Sequence, residues 1–223
     1  MLVSIGPGSA QAMLMSTVWL RRLGLVAAAF VLQTALLEAA LPSSDEAPAR
    51  PTLAGQLLVA DPSMGDPRFA GAVVLIVQED PTGALGIVIN EPIGERPLAS
   101  LFEDLGRKGD DARGSVRLFS GGPMQPELGF VVHSADYHRP ETVAVTDRVA
   151  LTASVDVLRD IGKGKGPAKF LVAFGYAGWG AGQLEHEIEA RAWATAEADP
   201  ALVFDADRRK LWDEAWKRRT QHL

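Results

Sequence analysis

Gly175-Tyr-Ala-Gly-Trp-Gly-Ala-Gly-Gln-Leu-Glu-His-Glu187 follows the apolar run Phe170-Leu-Val-Ala-Phe174, and the reading of this junction decides the fold. Four glycines, Gly175, Gly178, Gly180 and Gly182, fall within eight residues. Glycine takes positive φ without a Cβ penalty and lets two backbones approach closely, so the run reads as a structural turn between a buried strand and an amphipathic helix. Beyond it Leu184, Ile188 and Ala192 recur on one helical face, and Leu211, Trp212, Ala215 and Trp216 form the buried stripe of a final helix.

Working back from the junction, Val73–Val77 and Leu85–Ile89 are β-rich runs joined through Asp80-Pro-Thr-Gly83, which predicts a hairpin. Pro97 opens a helix with Leu98, Leu101, Phe102 and Leu105 at helical spacing, and Gly106 ends it. Val116–Phe119 and Gly129–His133 predict another strand pair around Ser120-Gly-Gly-Pro123. Thr142–Val145 and Val149–Leu151 flank a tight turn, and Ser154 is placed to N-cap a short helix that Gly162 ends.

At 223 residues and 47% hydrophobic, the chain can bury one substantial core. A formal net charge of −6 argues against a generic polyanion binder, because bulk nucleic-acid affinity comes from lysine and arginine on phosphate. Arg208, Arg209, Lys210, Lys217, Arg218 and Arg219 are interleaved with Asp205, Asp207, Asp213 and Glu214, and read as the solvated face of the last helix. There is no cysteine, hence no disulfide, thiolate metal site or cysteine nucleophile. Arg21 and Arg22 precede a short apolar core and a Pro-rich linker, so residues 1–52 read as an export signal or N-terminal anchor plus linker, and 53–223 as the folded domain. Export is favoured by residues 15–41, with an over-called gene start and a cytoplasmic protein as the alternative; membrane contact is expected only through an uncleaved leader.

Gly55-Gln-Leu-Leu-Val-Ala-Asp-Pro-Ser-Met64 with Asp66-Pro-Arg-Phe69, Gly86-Ile-Val-Ile-Asn-Glu-Pro92, Phe119-Ser-Gly-Gly-Pro-Met-Gln125, Gly129-Phe-Val-Val-His133 and Gly175–Glu187 occur in the order that resembles the YqgE/AlgH family (DUF179). The resemblance covers roughly residues 53 to 217. It implies an α+β fold, mixed α/β, with a bifurcated, partly barrel-like mixed sheet flanked by helices in a single compact domain. It implies no established activity or catalytic residue set, although some members carry the label of transcriptional regulator. Residues 1–52 depart from the family pattern, whose members typically start near Leu53 and are cytoplasmic.

The glycine spacing fits neither dinucleotide nor P-loop fingerprints, and Glu185 and Glu187 would repel an anion there. Ser120-Gly121-Gly122 lacks the preceding glycine of a nucleophile elbow. His133, Asp136 and His138 carry metal-binding residue types without a standard zinc pattern, and no metal or other cofactor is expected. What remains is a contact surface of Tyr176, Trp179 and Gln183 with Asn90 and Glu91 at a strand end. The reading is a non-enzymatic binding or regulatory module that meets a protein or small-molecule partner and does not bind nucleic acid directly. The alternative is a small-molecule enzyme using Glu91, Glu185 or Glu187 as a general base.

Overall fold

In a computed structural model, which describes residues 52–107 and 112–220, the apolar run at Phe170 continues past Phe174 as one strand, β9 (Phe170–Gly180). The expectation that all four glycines shape a turn is corrected: Gly175, Gly178 and Gly180 lie within β9, and Gly182, at φ 72°, makes the turn into α3 (Gln183–Glu189). The export reading of residues 15–41 lies outside the described residues.

The chain enters through β1 (Gln56–Ala60), then the hairpin of β2 (Val73–Asp80) and β3 (Gly83–Val88) closed by the Asp80↔Gly83 pair, as the turn residues predict. An exposed strand β4 (Pro92–Pro97) leads into α1 (Leu98–Asp104), with Pro97 at its N-cap and Gly106 at φ 67° beyond its end. Next come β5 (Ser115–Ser120), β6 (Met124–Ser134), β7 (Thr142–Ala144) and β8 (Val149–Thr152). In α2 (Val155–Gly162) the Ser154 side chain accepts from the Asp156 N–H, as a cap should. After α3 follow β10 (Trp193–Glu197), a π-helical turn (Ala201–Asp205) and α4 (Leu211–Lys217).

The ten strands form a curled, mostly antiparallel half-barrel that forks at β9. One edge of β9 carries β6 along Phe170–Phe174 and again at Tyr176. The opposite edge pairs in parallel with β5 at Val172–Phe174, then antiparallel with β3 at Ala177–Gly180. The partner changes at Gly175, whose φ of 78° breaks the strand's alternation. The predicted pairing of Val116–Phe119 with Gly129–His133 is therefore corrected, because β9 lies between β5 and β6.

The short β5–β6 link must cross β9 to pass from one edge to the other. A Cβ on Gly122 would sit 2.2 Å from the Tyr176 carbonyl carbon, one on Gly121 2.3 Å from the Gly175 oxygen, and one on Gly175 2.4 Å from the Gly122 oxygen. Two backbones touch at that crossing, which is why Ser120-Gly-Gly-Pro123 and the glycine-rich strand occur in one chain.

Along β1 and β2 successive residues serve different cores: Leu57, Val59, Val73 and Leu75 pack in one cluster, Leu58, Ala60, Val74 and Ile76 in another. Burial on both faces accounts for their unbroken apolar runs. The first cluster is closed by the π-turn and α4 through Leu202, Val203, Leu211 and Ala215, the second by α3 through Leu184. A third, under α1 and α2, holds Phe102, Leu118 and Val157 against Val131 and Val172. None of the helices among the described residues is long and apolar enough to cross a membrane.

Candidate functional site

Of the sequence-predicted contact residues, Tyr176 and Trp179 are 8% and 7% exposed. The break in alternation at Gly175 turns Tyr176 into the first core, edge-on to Phe130, and Trp179 into the second, edge-on to Trp193. Trp179 Nε1 and Trp193 Nε1 donate to the same Glu187 Oε2 at 2.9 and 2.8 Å, and Gln183 Nε2 donates to Oε1 at 2.8 Å. Gln183 in turn accepts the Gly180 N–H. Glu187 is thus a half-buried acceptor joining β9, α3 and β10, with both oxygens engaged.

Asn90 pins a loop: its Oδ1 accepts the Val73 N–H at 2.9 Å and its Nδ2 donates to the Gly71 carbonyl at 2.8 Å. Glu91 is exposed, and its carbonyl accepts the Ser120 N–H. Among the described residues no hydrogen bond or ring contact joins Asn90 and Glu91 to Tyr176, Trp179 or Gln183.

His133 is fully buried in β6. Its Nδ1 lies 2.9 Å from the Ser134 carbonyl, which can only accept, so the proton sits on Nδ1 and Nε2 accepts from the Thr152 hydroxyl at 2.8 Å. Thr142 continues the chain at 2.7 Å and receives the Arg139 N–H. Burial pushes the His133 imidazole below its ordinary 6.5. The unfolded chain takes up a proton near 6.5 while the folded one does not, so stability should be full above that pH and fall as pH drops below it. Urea midpoints between pH 7.5 and 5 should decline in the wild type, and in a folded His133→Gln variant this component should vanish. The carboxylates held down by hydrogen bonds, among them Asp61, Asp80 and Asp136, act in the lower window below their usual 3.8.

Sequence reading missed the groups that line a cavity of about 730 Å³ between β4, β5, the start of β9 and residues 204–209. Alternation along β5 turns Arg117 and Phe119 to one side, where Phe170 and Phe204 supply further apolar wall. Arg208 also lines it and is only 8% exposed, which corrects its placement on a solvated helix face: α4 begins later, at Leu211. Its Nη1 donates to the Val203 carbonyl at 2.9 Å and the Ile89 carbonyl at 3.4 Å. Its Nη2 is buried without a partner. Desolvation, then the nearby Arg117 charge, lowers the Arg208 pKa from the usual guanidinium value. The surrounding carboxylates are otherwise occupied, Asp205 with Lys169 at 2.6 Å, Asp207 with Arg209 at 3.5 Å, and Glu95 with the Ser115 hydroxyl.

The Val116-Arg-Leu-Phe119 alternation could have flagged Arg117 beside Phe119. Nothing local marks Arg208, whose partner Ile89 lies 119 positions away.

A family model described as AlgH-like (DUF179) matches residues 57–223, and the chain belongs to that family. A UPF0301 protein of Jannaschia sp. (strain CCS1) is 44% identical over 165 residues, covering 73% of this chain and 86% of its own. Another, from Rhodospirillum rubrum, is 45% identical over 153 residues, covering 69% and 80%. The solution structure of the AlgH protein from Pseudomonas aeruginosa is similar with a TM-score of 0.64 and 38% identity, over 79% of this chain and 92% of that one. A protein from Corynebacterium diphtheriae shares the fold at 21% identity, with a TM-score of 0.58 over 75% and 87% of the two chains.

Proposed function

We propose that this member of the AlgH-like family is a non-enzymatic binding module that takes a small molecule with a hydrogen-bond acceptor into the cavity at β5 and Arg208. The unpartnered Nη2 of Arg208 carries the reading. A buried donor without an acceptor is destabilising, and native proteins keep such groups rarely and often for a ligand. A volume of about 730 Å³ is within the usual range for a small-molecule site, and the lining sets Phe170 and Phe204 beside charged groups that include Arg117 and Arg208. Nη2 is itself buried, so an acceptor meets it only when the cavity wall yields slightly. Glu187, the best-placed carboxylate beside the glycine-rich strand, has both oxygens occupied, which favours binding over general-base chemistry there.

Small fragments bearing a carbonyl or anionic group, added to the full chain, should shift the backbone amide resonances of Arg117, Phe119, Phe170 and residues 204–209. Those of Gln183 and Glu187 should stay in place. Shifts confined to Gln183 and Glu187 would defeat the assignment and return the contact surface to the glycine-rich strand.

A further inference from the structure

We infer that the cavity selects a monoanion, a carboxylate borne on an aromatic or branched apolar body, and that Arg117 together with Arg208 recognises its charge. This rests on the proposed binding cavity and specifies its ligand class. Arg117 and Arg208 line one cavity and repel one another, Asp205, Asp207 and Glu214 offset part of that repulsion at Arg208, and neither guanidinium has an ion-pair partner among the described residues. The acids nearby do not fill that role, since Asp205 and Asp207 pair with Lys169 and Arg209. The lining itself sets Arg117, Arg208 and Arg209 against Glu95, Asp205 and Asp207, and Lys169 beside it holds Asp205, so four positive groups meet three negative ones and leave one net positive charge around the cavity.

That balance decides the ligand's charge. A neutral acceptor would satisfy Nη2 but leave the Arg117–Arg208 repulsion standing. A monoanion cancels it, and a charge-assisted bond to a buried guanidinium is stronger than a neutral one. A phosphate dianion would overshoot and add a negative charge beside Glu95, Asp205 and Asp207. Nη1 is already spent on two backbone carbonyls, so Arg208 offers a single nitrogen and the exposed Arg117 supplies the complete fork. Half-buried Phe170 and Phe204, backed by the buried Phe119, provide apolar surface for the rest of the molecule.

Titration calorimetry on the full chain would compare phenylacetate, 3-phenylpropanoate and 4-methylpentanoate with phenylacetamide and phenyl phosphate. At least one carboxylate should bind, with phenylacetamide and phenyl phosphate each about tenfold weaker or more. Arg117→Glu, at an exposed position opposite Glu95, should stay folded with a slightly lowered thermal midpoint and weaken the best carboxylate by about tenfold or more, because it places like charge beside the ligand. Arg208→Met removes the buried donor, but its two backbone contacts also hold the fold, so the Arg117 variant is the deciding one. If phenylacetamide matches phenylacetate, or phenyl phosphate binds most tightly, the monoanion class is wrong while the cavity stands. Unchanged affinity in folded Arg117→Glu also overturns it. Failure of every probe to bind or to shift Phe170 overturns the cavity and the ligand class together.

Discussion

Gly175→Ala is expected to destabilise the chain by about 4 kcal/mol or more, a large share of the roughly 5–15 kcal/mol that holds a typical domain. At φ 78° any Cβ is strained, which by itself amounts to about 1–2 kcal/mol. The larger part is collision: the new methyl would lie 2.4 Å from the Gly122 oxygen and 3.1 Å from the Met124 oxygen. Both atoms are backbone, in the link that crosses β9 and at the start of β6. Relief means moving the crossing, and the crossing sets which strand pairs with which edge of β9. Gly164→Ala isolates the two contributions, since Gly164 has φ 69° and nothing within 4 Å of its built Cβ. It should lose only about 1 kcal/mol. Urea unfolding of the two variants measures the difference; equal midpoints would show that the crossing tolerates a side chain and that the fork needs another explanation.

The same crossing explains what was legible in the sequence and what was not. Hairpin, caps and helices were readable because each is fixed by neighbours in sequence: Pro81 and Gly83 for the β2–β3 turn, Ser154 for α2, Pro97 and Gly106 for α1. The glycine run was recognisably special, yet its role was misread, because a close backbone approach needs glycine just as a turn does. Only the distant Gly121-Gly122 distinguishes the two, and local pattern does not reveal that it lies over Gly175. Arg208 failed for a similar reason. A basic stretch next to a helix is normally solvated, and its burial depends on the end of β3 and on the π-turn arriving from elsewhere in the chain. In sequence alone Trp179 reads as a displayed ring, because the positive-φ break at Gly175 that turns it inward looks like a turn.

Glu187→Ala should have the second largest effect, a loss of about 3 kcal/mol, because it strands two indole donors whose rings are buried. Trp179 and Trp193 are 7% and 3% exposed, their ring centroids are 6.0 Å apart, and both aim Nε1 at one carboxylate oxygen. Without that oxygen each buried N–H loses its acceptor, and α3 loses its tie to β9 and β10. Glu187→Gln is the informative companion. Its side-chain carbonyl can still accept both indoles, but its amide group then faces Gln183 Nε2, another donor, while Gln183 Oε1 is committed to the Gly180 N–H. One clash of donors in place of two stranded indoles should limit its loss to about 1 kcal/mol. Denaturant midpoints rank the three proteins, and a loss under about 1 kcal/mol for Glu187→Ala would remove the carboxylate from the framework. If that folded alanine variant then failed to bind the carboxylates that the wild type takes, the ligand would belong on the glycine-rich strand after all. Retained binding with reduced stability is the expected pairing, since Glu187 holds three elements together and does not line the cavity at Arg208.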